Sequence, residues 1–208
     1  MNSALTWIEK KRKECKTSAD LVKISDLVDW GYDKKDGVVR HNKGDSYFFS
    51  VKGVRVKGAS GCEVINWNQP IFLQEEGGVL AIFCQKKGNV MKYLLHAKYE
   101  PGYINKIQLA PTIQATMSNL KRKHKGTKPK FSEYLDHPKA KLIYKAKHSE
   151  EGARFWHKEN LNMLFELDKS LKLPLDGDYI WLTLPEIKKL ILIDNLINPF
   201  VKTILAPL

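Results

Sequence analysis

From Asp36 onward the chain changes its hydrophobic period, and that change limits the folds open to it. Residues 38–41, 46–58, 69–74, 79–85 and 90–99 are short runs rich in β-branched and aromatic side chains, the composition of strands. Lys-Gly, Gly-Asp, Gly-Gly and Gly-Asn pairs separate them, and such pairs turn a chain. Residues 79–98 read as a hairpin about Lys87-Gly88-Asn89. Helical spacing flanks this region. Residues 3–15 predict a helix capped by Ser3, with Leu5, Ile8 and Cys15 as a thin apolar stripe. Ser18 opens a second, with Leu21, Val22, Ile24, Leu27 and Val28 in register, ending near Gly31. Residues 113–123 and 131–136 read as short helices, and 142–149, 162–168 and 178–182 as strands. Residues 184–197 form the clearest helix, with Pro185 in the first turn, where proline is tolerated. Helices, then many strands, then a helix describe an α+β protein rather than repeating βα units. The expected division is a helical segment over 1–35 and a module over 36–208, one compact domain overall.

A length of 208 residues suits one domain with a proper core. No apolar run reaches the 18 or so residues of a membrane span. The first 16 residues lack an apolar signal core, so a cytoplasmic protein is expected. Cys15, Cys62 and Cys84 are odd in number and widely spaced, which indicates neither a disulfide framework nor a zinc site. The formal charge is +12, from 35 basic and 23 acidic residues. Such an excess attracts polyanions, whether nucleic acid or a nucleoside diphosphate. Many of the lysines fall in short runs, at 10–13, 121–125, 139–141 and 145–147, which also read as solvated faces.

The stretch 94–119, LLHAKYEPGYINKIQLAPTIQATMSN, is dense in groups that form specific hydrogen bonds. Pro101, Gly102 and Pro111 shape the backbone among them. A solvated loop needs no such mixture. Burying it unpaired in a core costs a few kcal/mol per group. The economical reading is a pocket in which a polar ligand completes the hydrogen bonds.

This stretch, with NWNQPI (66–71), HSEEGARFWHKENLNM (148–163) and WLTLPEI (181–187), resembles the signature of the NDP-hexose 2,3-dehydratases of deoxysugar biosynthesis. The likeness spans roughly residues 66 to 205. Members of that family usually carry two tandem modules, and this chain shows one. The resemblance implies a mixed β-sheet core flanked by helices, a Nudix-like module. The Nudix metal box is absent: no GxxxxxE precedes an REXXEEXG-like helix.

The reaction so implied is a lyase reaction, loss of water across C2 and C3 of a nucleotide-linked 4-keto-6-deoxyhexose. The C4 ketone acidifies the C3 proton, a base removes it, and the C2 hydroxyl departs from the enolate with help from an acid. The scheme needs no cofactor and no metal. It needs a base, a donor near O4 and an acid near O2. Lys98 and Glu100 alternate about Tyr99 and so share a face of a strand. They suit enolate stabilisation and proton transfer, or else form a solvated ion pair. Tyr103 and His148 are alternative acid–base groups. Asn105, Gln108, Gln114, Thr116 and Asn119 suit sugar hydroxyls and a pyrimidine edge, though Asn119 also suits a helix end. Arg154 suits a diphosphate, or a salt bridge to Glu150 or Glu151. Gln69 belongs with this substrate-binding set. Trp67 and Trp156 suit stacking on a base, or the core.

The expected partner is a dTDP- or UDP-linked sugar, with neither membrane nor nucleic acid. A single module implies a homodimer that supplies the second copy in trans. Two rivals stand beside this reading: a degenerate module that binds nucleotide sugar without turnover, and a nucleic-acid-binding protein, motivated by the charge. The amide-rich character of the distinctive segments opposes the latter.

Overall fold

The computed structural model describes residues 2–44, 48–120 and 127–208. The lysine run at 121–125 and the start of the strand expected at 46–58 lie outside the described residues. The chain divides into two units. One comprises Met1–Ala19, Gly78–Lys147 and Leu161–Leu208, and the other Asp20–Gly77 and His148–Asn160.

The first unit is built on strands β5 (Gly78–Lys87) and β6 (Val90–Tyr99). They pair as the expected hairpin, from Lys87↔Val90 to Phe83↔Leu94. Gly88 takes a positive φ of 62° in the turn, a conformation that costs glycine little. Beyond Phe83 and Leu94 the two strands take different partners. β7 (Ile107–Ala110) pairs with His96–Tyr99 of β6, and β8 (Ile113–Thr116) pairs with Gly78–Ala81 of β5. Thr112 sits at the fork. Its hydroxyl accepts from Phe83 N at 3.0 Å and donates to the Leu94 carbonyl. One side chain thus satisfies the two backbone groups where the ladder opens.

The sheet runs β11-β6-β5-β10-β9, with β11 at Tyr179–Thr183, β10 at Glu159–Leu167 and β9 at Ala140–Ser149. The alternation of a pleated strand sorts the core into two layers. Leu80, Ile82, Tyr93, Leu95, Ala97 and Leu109 pack with helices α1 (Asn2–Glu14), α3 (Leu184–Ile191) and α4 (Pro199–Leu205). Val79, Ala81, Phe83, Leu94 and Ile113 pack with Phe131, Met163, Phe165 and Tyr179. A short helix α2 (Met117–Leu120) follows β8, and Ser132–Asp136 form a 3-10 turn. β9 ends the strand order with Lys141, Lys145 and Lys147 exposed.

The second unit holds an antiparallel sheet β1-β2-β3-β4, at Trp30–Asp33, Val38–His41, Ser50–Val56 and Trp67–Leu73. Trp30, His41, Phe48, Phe49, Phe72 and Phe155 form a chain of ring contacts. Phe72 also makes a parallel bridge to Phe155, with Phe72 N donating to the Arg154 carbonyl and Trp156 N to the Phe72 carbonyl, each at 2.8 Å. The three cysteines are free. No helix among the described residues is long and apolar enough to cross a membrane.

The sheet core flanked by helices is the expected α+β architecture, and several elements differ from expectation. The helix predicted from Ser18 to Gly31 is absent. Only Ile24–Asp26 form a 3-10 turn, and β1 begins at Trp30. Leu21, Val22, Ile24 and Val28 are exposed, and an apolar stripe that buries nothing does not hold a helix. Residues 113–116 form a strand rather than the start of a helix, because the open flank of β5 offers them a ladder. The helix predicted over 184–197 stops at Ile191. Asn195 takes a φ of 55°, which a helix cannot continue through, and α4 follows. Thr183 and Glu186 start α3 with a reciprocal capping box.

The fork yields a stability prediction. Thr112→Val keeps the shape but strands Phe83 N, so it should cost about 1–3 kcal/mol. Urea denaturation of the variant measures this; an unchanged midpoint would show that the hydroxyl bridge contributes nothing.

Candidate active site

Four of the polar residues singled out in 94–119 converge in the first unit. Lys98 lies near the end of β6, where its register partner on β7 is Gln108. Glu100 follows, just before Pro101 turns the chain. Lys98 Nζ donates to Glu100 Oε1 at 3.1 Å, and Gln114 Nε2 of β8 donates to the same oxygen at 2.5 Å. Lys98 and Glu100 are both partly buried, with side chains 26% and 31% exposed. Among the described residues Gln114 Oε1 is buried without a partner, and so is Oε1 of Gln108, which is 7% exposed. Two orphaned acceptors thus belong to the strands beside this ion pair, and orphaned buried groups are costly.

Tyr103 completes the cluster from the turn that follows. Its backbone N donates to the Glu100 carbonyl at 3.1 Å, and its own carbonyl accepts from Lys106 N at 3.1 Å. Burial pushes the phenol pKa up, as do the charge and hydrogen bonding of Glu100; a hydrogen bond from Asn198 opposes them. At neutral pH Tyr103 is therefore a proton donor. Asn198 gave no signal for this site in the sequence. Only the fold reveals its tyrosine partner.

His96 shares a face of β6 with Lys98. Its ring stacks on Tyr179 at 4.5 Å with an interplanar angle of 10°. Burial pushes its pKa down to about 4, helped by the charges of Lys98 and Lys130 and opposed by Asp178. Burial also pushes Tyr179 up to about 12. Lys98 thus has an uncharged imidazole as its neighbour at neutral pH.

The remaining residues of this stretch lie apart from the cluster. Asn105 is exposed on the turn, where its carbonyl accepts from Ile107 N at 2.6 Å. The Thr116 hydroxyl lies 2.9 Å from that of Ser118 and accepts from Asn119 N at 3.3 Å, so it caps α2. Asn119 is exposed on that helix.

The second unit gathers the others around a cavity of about 370 Å³ whose walls include Trp67, Gln69, Ala153, Phe155, Trp156 and His157. Such a volume accommodates a small ligand. Trp67 Nε1 donates to Gln69 Oε1 at 2.7 Å, and Gln69 Nε2 donates to the Ala153 carbonyl at 2.7 Å. Trp156, 46% exposed, stacks on His157 at 4.3 Å. Lys158 Nζ donates to Gln74 at 2.6 Å and lies 3.6 Å from Glu150. Arg154 is exposed beside this cavity's loop, its guanidinium 3.4 Å from the Ala153 carbonyl. His148 is exposed at the end of β9.

The depressed pKa of His96 carries a pH signature. The unfolded imidazole, near 6.5, takes its proton before the folded one does. Stability from this group is complete above about pH 6.5 and is lost as pH falls toward 4, by at most about 3 kcal/mol. His96→Phe keeps the stack and should flatten that part of the stability–pH curve measured by urea denaturation. A parallel curve for the variant would assign the slope to other groups.

The model of the NDP-hexose 2,3-dehydratase family matches residues 1–208. A dTDP-4-dehydro-6-deoxy-alpha-D-glucopyranose 2,3-dehydratase of Streptomyces violaceoruber is 37% identical over 187 residues, covering 89% of this chain and 41% of the relative. Its counterpart in Saccharopolyspora spinosa is 32% identical over 201 residues, covering 96% and 40%. The chain spans about two fifths of the length of these relatives. Among solved structures, an ADP compounds hydrolase overlaps 73% of this chain and 80% of its own at a TM-score of 0.41 and 12% identity. The NUDIX domain of Shewanella oneidensis NrtR, complexed with ADP ribose, overlaps 61% and 82% at 0.36 and 13%. Those scores are too low to carry an argument. The match along the whole chain is decisive: this protein belongs to the NDP-hexose 2,3-dehydratase family.

Proposed function

We propose that the chain is a hydro-lyase module that removes water across C2 and C3 of a dTDP-linked 4-dehydro-6-deoxyhexose. The observation that carries this reading is the Lys98–Glu100–Gln114 cluster with Tyr103, assembled from the segment that resembles the family signature. Lys98 is the cation for the developing O4 anion. Glu100 has one oxygen engaged by Lys98 and Gln114, and its other oxygen takes the C3 proton. Tyr103, protonated at neutral pH, serves O2. His148, solvent-exposed, is the weaker acid–base candidate. The orphaned Oε1 atoms of Gln108 and Gln114 address sugar hydroxyls. Taken by itself, the second unit's cavity, with Trp67, Gln69 and Trp156 on its walls, suits an aromatic base, and Arg154 on the adjoining loop suits a phosphate. The three free cysteines fit a reducing, cytoplasmic setting.

The test is incubation of the 208-residue chain with dTDP-4-dehydro-6-deoxy-glucopyranose, read by mass spectrometry for loss of one water. Lys98→Met and Glu100→Gln should each lower turnover by about 10² or more with little change in dTDP affinity. Arg154→Ala and Trp156→Ala should show the reverse pattern. Full turnover in the Lys98 and Glu100 variants would reduce that pair to a structural ion pair. Binding of dTDP without any turnover would favour the degenerate module.

We also propose that the chain pairs as a homodimer, burying above about 1,000 Å² in total. The family-like segments occur once in these residues, and two-fold pairing would bring a second copy of them in trans. Light scattering at micromolar concentration should give twice the monomer mass; a monomer would overturn the pairing.

A further inference from the structure

We infer that Asn198 is a positioning residue for Tyr103, holding the phenol so that its proton is presented to the departing C2 oxygen. The inference rests on the dehydratase reading and deepens it.

Asn198 is 2% exposed and held through its backbone and both polar side-chain atoms. Its backbone N donates to the Leu109 carbonyl at 2.9 Å, and Leu109 N donates to the Leu196 carbonyl at 2.9 Å, which ties this segment to β7. Its Oδ1 accepts from Phe200 N at 2.7 Å and caps α4. Its Nδ2 donates to the Tyr103 hydroxyl. The cap alone does not require asparagine, because Asp and Ser cap as well. What asparagine adds is an NH2 group, and that group is directed to the phenol.

The consequence for Tyr103 is geometric. A phenol on a turn swings about its side-chain torsions unless something holds the oxygen. With its oxygen accepting from Asn198, the O–H of Tyr103 is directed away from α4 and at rest is engaged by Glu100; once Glu100 holds the C3 proton it no longer attracts that O–H, which then turns to O2. During elimination Glu100 takes the C3 proton and the C3–H electron pair forms the enolate. That pair then becomes the C2=C3 bond as the C2–O2 bond breaks. O2 takes the Tyr103 proton and leaves as water. Negative charge develops on the phenolic oxygen, and Nδ2 of Asn198 is the preorganised donor that faces it. The proton on Glu100 returns to the phenolate and restores both groups.

Asn198→Ser, Asn198→Asp, Tyr103→Phe and the Tyr103→Phe/Asn198→Ser double variant of the 208-residue chain provide the test. Asn198→Ser keeps a cap and should melt close to wild type, while kcat falls about tenfold or more at nearly unchanged KM. Entry of solvent deuterium at C3 of recovered substrate should persist in Asn198→Ser, because it reports the base and not the acid. Asn198→Asp should lose more, because its carboxylate attracts the phenolic proton. In the Tyr103→Phe background Asn198→Ser should cause no further loss. A wild-type kcat in Asn198→Ser, or a fully additive loss in the double variant, would overturn the inference and leave Asn198 as a cap alone. A wild-type chain that neither releases water nor exchanges the C3 proton would instead sink the dehydratase reading, and this inference with it.

Discussion

The hydrogen-bonded fork at Thr112 is the constraint on which the first unit depends. β5 and β6 pair for five residues each and then part, and a parting ladder exposes donors and acceptors on both inner edges. β7 and β8 fill the opening from a single segment that changes partner at Pro111–Thr112. Proline has no N–H to lose at such a crossing, and the threonine hydroxyl serves both strands at once. Ordering one segment therefore completes two ladders and two layers of core, because Leu109 faces α1, α3 and α4 while Ile113 faces Phe131 and Tyr179.

The same fork explains how a strongly polar segment is tolerated inside a sheet. Gln108 and Gln114 belong to the two strands that fill the opening, and their backbones are satisfied by it. Gln114 then reaches Glu100, and Gln108 stands opposite Lys98 in register. The C-terminal segment closes the arrangement through Leu109 and Asn198. Polar side chains are thus placed by backbone pairing, which is more exact than placement by a mobile loop.

Much of this was legible in the sequence where local pattern and tertiary role agree. The 79–98 hairpin carried its turn, its alternation and its β-branched residues together, and it formed as read. Lys98, Glu100 and Gln114 were legible as one polar set because they crowd into one segment; that they share a single carboxylate oxygen is a matter of register, which spacing does not reveal. Legibility failed where tertiary pairing overrode local preference. Ile113–Thr116 read as helix and became a strand because β5 had an open edge. Leu21 to Val28 held a helical stripe with nothing to bury it. Asn198 could not be read as part of the site, since its tyrosine partner is 95 residues away.

The exposed lysines of β9 have a consequence for how the molecule behaves in a crowded solution. A strand that ends a sheet leaves a row of backbone groups ready to recruit another chain edge to edge. Lys141, Lys145 and Lys147 alternate along β9, so they crowd one face of that row with like charge. An incoming copy of the same strand would bring the same three ammonium groups against them. Part of the +12 excess then works as a guard against fibrillar self-association, and removing those charges one by one would raise the tendency to aggregate without touching the fold.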